Sequence, residues 1–155
     1  MPSDTSEVGL NTPFGPIRIS AAGGAIRWID WGQTSDATDD PVLIEAQNQL
    51  TAYFDGKTQT FDLPLSPDVS KFQREFGDVL RAIPFGHTRT YGDIAKQMGV
   101  PAQSIGQACG ANPIPIVIPC HRVLGATGLG GFSARGGVET KVALLRHEGA
   151  ASLLI

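Results

Sequence analysis

Ile118-Pro119-Cys120-His121-Arg122-Val123 sets a thiol against an imidazole at the end of the apolar run Ile114 to Ile118. A cysteine thiol ordinarily titrates at about 8.5, so little of it is thiolate, the nucleophilic form, at neutral pH. A base within reach can take that proton, provided something fixes the imidazole's tautomer and position. Adjacency in sequence does not establish such a pair, because successive side chains of an extended segment point apart. A third group must complete the system, and Glu148 in Leu144-Leu145-Arg146-His147-Glu148-Gly149 is the candidate. The chemistry implied is nucleophilic attack by Cys120, with His121 as base and Glu148 as its orienting partner.

Positioning these groups falls to the elements around them. Ser66-Pro67-Asp68 reads as a turn and as the boundary between an N-terminal part, residues 1–66, and a C-terminal part, residues 67–155. From the turn, a helix is expected to about Ala82 with Phe72, Phe76, Val79 and Leu80 as its apolar face, broken by Ile83-Pro84-Phe85-Gly86. After Tyr91, one short helix over Gly92 to Met98 and a second over Pro101 to Gly110 are joined by the Gly99-Val100 turn, a helix-turn-helix pattern just upstream of the cysteine. The second helix is built from small residues: Ala102, Ser104, Gly106, Ala108, Gly110 and Ala111. Glycines in a helix lower its intrinsic stability, so close approach by another surface should compensate. That surface is either a neighbouring helix or a ligand.

The N-terminal part reads as a small α/β scaffold. Residues 14–20 and 25–31 alternate as strands around the turn Ala22-Gly23-Gly24. Asp36 to Asp40 is a polar loop, and Pro41 opens a helix to about Phe54 with Leu43, Ala46, Leu50 and Tyr53 at helical spacing. Phe61 to Leu65 is expected as a short strand. Nothing in this part has catalytic spacing.

With 155 residues, 41% of them hydrophobic, the chain can form a real core as one domain or as two small ones packed together. No apolar run approaches the roughly 18 residues of a membrane span, and Met1-Pro2-Ser3-Asp4 lacks the basic start of a secretory signal. Two cysteines make no disulfide framework, so a reduced, cytoplasmic setting is expected. The net charge of −3 is unevenly spread: residues 1–67 carry −6 and residues 68–155 carry +3. A basic half beside an acidic one is the footprint of a polarised nucleic-acid-binding surface, or of chance segregation. Three net charges imply modest nucleic-acid affinity with limited salt sensitivity.

PCHRV at Pro119 to Val123, preceded by Asn112-Pro113-Ile114-Pro115 and followed by Gly130-Gly131-Phe132-Ser133 and Leu144 to Gly149, resembles the signature of the O6-alkylguanine-DNA alkyltransferases, the methylated-DNA–protein-cysteine methyltransferases. The likeness runs from roughly Ser66 to Gly149. A lone Cys-His pair would be weak; this combination is specific. The resemblance implies an N-terminal α/β part of the ribonuclease-H-like type and a mainly α, winged helix-turn-helix-like C-terminal part that binds DNA and accepts the alkyl group. It implies that Cys120 attacks the alkyl carbon of O6-alkylguanine, a nucleotide that must first be flipped out of the duplex. His121 acts through water as base, Glu148 orients it, and each molecule turns over once because the carbon–sulfur bond is essentially irreversible.

Further roles carry over position by position. Tyr91 matches a tyrosine that supports the flipped base and protonates the departing guanine; taken alone it would be a tyrosine capping the core. Asn112 matches an asparagine tying the helix-turn-helix to the active-site segment. Val123 and Ser133 match positions at the guanine edge, with Phe132 in the same pocket-lining loop. Ala102, Gln103, Ser104 and Gly106 fall on the helix that the resemblance lays in the minor groove of double-stranded DNA, a mode that reads little sequence. Lys141 matches a lysine near the pocket, and reads equally well as a solvated helix lysine. Cys109 reads as a compact apolar filler, with a disulfide to Cys120 as the alternative. His87 and His147 read as surface or capping residues. Larger members can carry a structural zinc in the N-terminal half; no cysteine or histidine precedes His87, so no metal is expected, and no cofactor is implied.

Two departures stand out. Gln103 occupies the position where the family usually intrudes an arginine into the base stack, so weaker binding or slower flipping is expected. Phe132 stands where a tyrosine is frequent, and Ala134-Arg135 are two extra residues that put substrate range in doubt; Arg135 is a candidate to replace the missing charge. The leading expectation is stoichiometric repair by a monomer. The alternatives are an alkyltransferase-like lesion binder, against which Cys120 argues, a cysteine hydrolase, which would need an oxyanion hole and turnover, and a purely structural DNA-binding module.

Overall fold

Strand propensity in the first part is concentrated where β-branched residues alternate with polar ones, and three antiparallel strands form there: β1 (Ser6–Thr12), β2 (Gly15–Ala22) and β3 (Ala25–Trp31), in the order β1-β2-β3. The structure, a computed structural model, describes residues 5–125 and 138–150. The chain divides into two compact units, Met1–Asp68 and Val69–Ile155.

In the first unit, register runs from Ser6↔Ala21 to Thr12↔Gly15 and from Ile17↔Trp31 to Ala22↔Ala25, with an irregularity at Ser20/Ala21. β1 was not expected from the sequence, since only Val8 and Leu10 mark it and Gly9 lies between them. Gly9 is there for close approach: an added Cβ would lie 2.5 Å from the Thr34 carbonyl oxygen, and its N–H donates to the Ser35 carbonyl at 2.7 Å. Helix α1 (Pro41–Phe54) starts where Asp40 accepts from the Val42 N–H and packs on the sheet; its face Leu43, Ala46, Leu50 and Tyr53 is buried, as are Val8, Ile17, Ile19 and Ile29 of the strands. The expected strand over Phe61 to Leu65 is reduced to a single parallel bridge, Ile26↔Leu65. Pro64 and Pro67 remove two ladder donors and so cut the pairing short.

The second unit is helical. α2 (Lys71–Arg81) begins later than expected because Ser70 caps it, its hydroxyl accepting from the Gln73 N–H at 3.1 Å. α3 (Tyr91–Met98) is set by a reciprocal cap between Thr90 and Asp93 and ends on Gly99 at φ 71°; α4 (Ala102–Gly110) follows and packs on α3. β4 (Arg89–Thr90) pairs in parallel with β5 (Val123–Leu124), and α5 (Val138–His147) closes the unit. Phe76, Leu80, Ile94, Ile105, Ile114, Val123, Leu144 and Leu145 are buried. Gln73 fastens α2 to α4 by donating to the Ala108 carbonyl at 2.8 Å.

Candidate active site

The segment between α4 and β5 has no regular structure to satisfy its backbone, and Asn112 does much of that work. Its amide nitrogen donates to the Ile118 carbonyl at 2.8 Å, and its side-chain oxygen accepts from the Ile114 N–H at 3.0 Å. The chain between these anchors turns sharply enough to put Ile116, buried and β-branched, at φ 75°. Such a conformation costs on the order of 1–3 kcal/mol and persists only where the surroundings over-determine it. A single 3-10 turn, Cys120–Arg122, follows, with the Cys120 N–H donating to Ile118 at 2.8 Å and the Arg122 N–H to Pro119 at 3.0 Å.

Cys120 and His121 thus lie on a turn and not on an extended strand, and its three side chains are all buried. His121 is fully inaccessible, and its Nε2 lies 2.8 Å from Glu148 Oε2. A carboxylate only accepts, so Nε2 carries the proton and Nδ1 the lone pair. Nδ1 has no hydrogen-bond partner among the described residues. Burial pushes the imidazole below its ordinary range, with Glu148 acting in the opposite sense and the Arg122 and Lys141 charges reinforcing the drop. Burial likewise pushes the Cys120 thiol up, against the Asn112 side chain and the Lys141 charge, both of which favour thiolate.

Tyr91, the first residue of α3, directly follows β4, whose Thr90 partners Leu124 of β5, the strand that follows this turn. Lys141 of α5 is buried, donates to the Val123 carbonyl at 2.7 Å and lies 5.7 Å from the centre of the Tyr91 ring. Of the two readings open for Lys141, the solvated one is therefore excluded. On α4, Ala102, Gln103 and Gly106 are exposed and Ser104 half-buried. Phe132, Ser133, Ala134 and Arg135 lie outside the described residues. Cys109 is half-buried and carries no disulfide. Among the described residues no three of His, Cys, Asp and Glu converge as metal ligands, and no helix is long and apolar enough to cross a membrane.

Arg122 was assigned no role from the sequence. It is 6% exposed, and its Nε and Nη2 donate to Glu148 Oε1 and Oε2 at 2.8 and 2.9 Å, while Nη1 donates to the Ile83 carbonyl at 2.7 Å. The signal was present: an arginine between Ile118 and Val123, in an otherwise apolar stretch, must be paired when buried.

A three-stranded sheet with one helix, and a helix-turn-helix unit that buries a Cys-His-Glu constellation, define a two-part architecture that can be compared with known proteins. Residues 9–67 match the 6-O-methylguanine DNA methyltransferase ribonuclease-like domain, and residues 71–150 match the DNA binding domain of the same family. The chain is 37% identical over 151 residues to a methylated-DNA–protein-cysteine methyltransferase of Methanosarcina acetivorans, covering 90% of this chain and 96% of that one. It is 42% identical over 127 residues to the constitutive enzyme of that name from Bacillus subtilis, covering 78% and 76%. A crystal structure of Mycobacterium tuberculosis O6-methylguanine methyltransferase superposes with a TM-score of 0.81 at 35% identity, covering 94% and 93%. The structure of M. tuberculosis OGT in complex with DNA does so at 0.81 and 39% identity, covering 92% of each. The chain belongs to the 6-O-methylguanine DNA methyltransferase family.

Proposed function

We propose that this protein repairs alkylated DNA directly, by a single, irreversible transfer of the alkyl group from O6-alkylguanine to Cys120. The observation that carries the reading is a buried thiol on the same short turn as an imidazole whose tautomer is set by a 2.8 Å contact to Glu148, in a chain of this family.

In the reaction the Cys120 proton passes through water to His121 Nδ1, the nitrogen left with a lone pair. The thiolate sulfur bonds the alkyl carbon as the carbon–O6 bond breaks. Tyr91 donates a proton to the departing guanine, and the imidazolium proton restores the phenol, so the net transfer is one thiol proton to guanine. Asn112 holds the Cys120 segment in place through the Ile118 carbonyl. Val123 is assigned to the guanine edge from the family resemblance, as are Phe132 and Ser133, which lie outside the described residues. Burial pushes the thiol up, and the Asn112 side chain and the Lys141 charge act in the opposite sense, toward the thiolate the reaction needs.

Double-stranded DNA is held through its minor groove by Ala102, Gln103, Ser104 and Gly106 of α4. The openness of Gly106 supports this, since an added Cβ there meets nothing within 4 Å among the described residues. Its smallness is not needed for packing within the unit. We place the protein in the cytoplasm as a monomer, consistent with two free cysteines. A cysteine hydrolase would need an oxyanion hole, and the Cys120 and Arg122 N–H groups cannot supply it, since they donate to Ile118 and Pro119.

Intact-mass spectrometry with peptide mapping, after incubation with an O6-methylguanine duplex, tests the reading. One methyl added on Cys120 with guanine restored, and none in Cys120→Ser, is expected. Retained preference for damaged DNA without transfer would instead make the protein a lesion binder.

A further inference from the structure

Glu148 serves two donors at once. Its Oε2 faces both His121 Nε2, at 2.8 Å, and Arg122 Nη2, at 2.9 Å, while Oε1 receives Arg122 Nε at 2.8 Å. The Glu148 side chain is fully inaccessible, so water supplies none of the compensation that an exposed carboxylate would have. Arg122 is itself locked from the far side. Nη1 donates to the Ile83 carbonyl at 2.7 Å, and the guanidinium lies 5.9 Å from the centre of the Phe85 ring. The turn between α2 and β4 thus fixes an arginine that grips both oxygens of the carboxylate in the planar, two-pronged manner only a guanidinium permits.

We infer that Arg122 is a positioning residue for His121: by holding both oxygens of Glu148 and matching its charge, it keeps the imidazole neutral, with Nε2 protonated and Nδ1 able to accept the thiol proton. This rests on the repair reading for its consequence, but the arrangement itself is a property of the buried pair. An anionic Glu148 facing His121 alone would draw a proton onto the imidazole, since a buried neutral pair is favoured over a buried net charge. His121 would then rest as imidazolium and could not serve as base. With Arg122 in place the carboxylate is already balanced. The charged and titratable groups around His121 are Glu148 and Lys141 from the α5 side and Arg122 and Cys120 on its own turn; both cations oppose a third positive charge there.

The test follows His121 by nitrogen NMR across pH in the full chain, alongside the pH profile of methyl transfer to Cys120. In the native protein the ring is expected as the neutral Nε2–H tautomer already at the ordinary histidine midpoint of about 6.5, because burial lowers its own. In Arg122→Met the midpoint should rise by about one pH unit or more, and the acid limb of transfer should rise with it. Arg122→Lys keeps the charge but not the grip on both oxygens, and should fall between the two. An imidazolium in the native protein at that pH, or coincident midpoints in the native and substituted proteins, would overturn the inference. Should Arg122→Met fail to fold, the native tautomer and the Arg122→Lys midpoint decide. Midpoints that move as stated in a protein that transfers no methyl would support this role for Arg122 while removing the repair reading.

Discussion

Cys109 and Cys120 both sit where burial favours the protonated thiol, and they differ in what opposes it. Cys120 has the Asn112 side chain and the Lys141 charge against desolvation, whereas Cys109 has only Lys141 and is pushed from 9.0 up to about 12, with Cys120 adding to the rise. The consequence for stability has a definite sign. A group whose folded value is raised contributes stability in full below its unfolded value and loses it as pH rises through the folded one. Cys109 should therefore make the fold progressively less stable between about pH 9 and 12. Cys109→Ala is expected to flatten the fall of Tm over that window relative to the native protein, read by thermal melts at stepped pH. An unchanged alkaline slope would show that the thiol is not held as the structure implies. Methyl transfer by the variant at neutral pH should persist, since Cys109 takes no part in the chemistry.

At the scale of elements, the DNA contact proposed for α4 would come at a cost in helix stability. Gly106 lies inside the helix, where alanine would be favoured by about 0.5–1 kcal/mol, and the structure offers ample space for the added methyl. Gly106→Ala should accordingly raise Tm while weakening binding to duplex DNA, measured at one fixed salt concentration. A more stable variant with undiminished affinity would remove α4 from the DNA surface. The other end of the trade is visible at Ile116, whose φ of 75° is held by the Asn112 anchors on either side. Stability is spent there on the shape of the segment that delivers Cys120. Caps account for where the helices begin: Ser70 moves α2 to Lys71, and the Thr90–Asp93 box makes Tyr91 the first residue of α3.

Across the whole molecule, charge is segregated, −6 over residues 1–67 against +3 over residues 68–155. If α4 carries the DNA contact as proposed, Gln103 supplies no cation there, and few phosphates would be neutralised. Affinity for undamaged duplex should fall only shallowly with salt, with a log–log slope of about −3 if roughly three contacts form. A slope twice as steep would mean that the described and remaining cations engage DNA more widely. What the sequence by itself determined was local and chemical. The period of apolar residues marked α1 and α2, the Gly99-Val100 turn marked the helix-turn-helix pair, and the run from Asn112 to Arg122 with Leu144 to Gly149 carried the family. Those signals are legible because each lies within a few consecutive residues. β1 escaped notice because two apolar residues around a glycine do not make a period, and its strand state comes from pairing with β2 and from the approach of Thr34 to Gly9. The strand expected at Phe61 to Leu65 failed for the converse reason, since propensity cannot replace the donors that Pro64 within it and Pro67 beyond it lack. Only the tertiary structure could bring Glu148 to His121 across 27 positions, bury Lys141 beneath Tyr91, and lock Arg122 between Glu148 and Ile83. Charge pairing in a buried site depends on which distant elements meet, and sequence spacing carries no record of that distance.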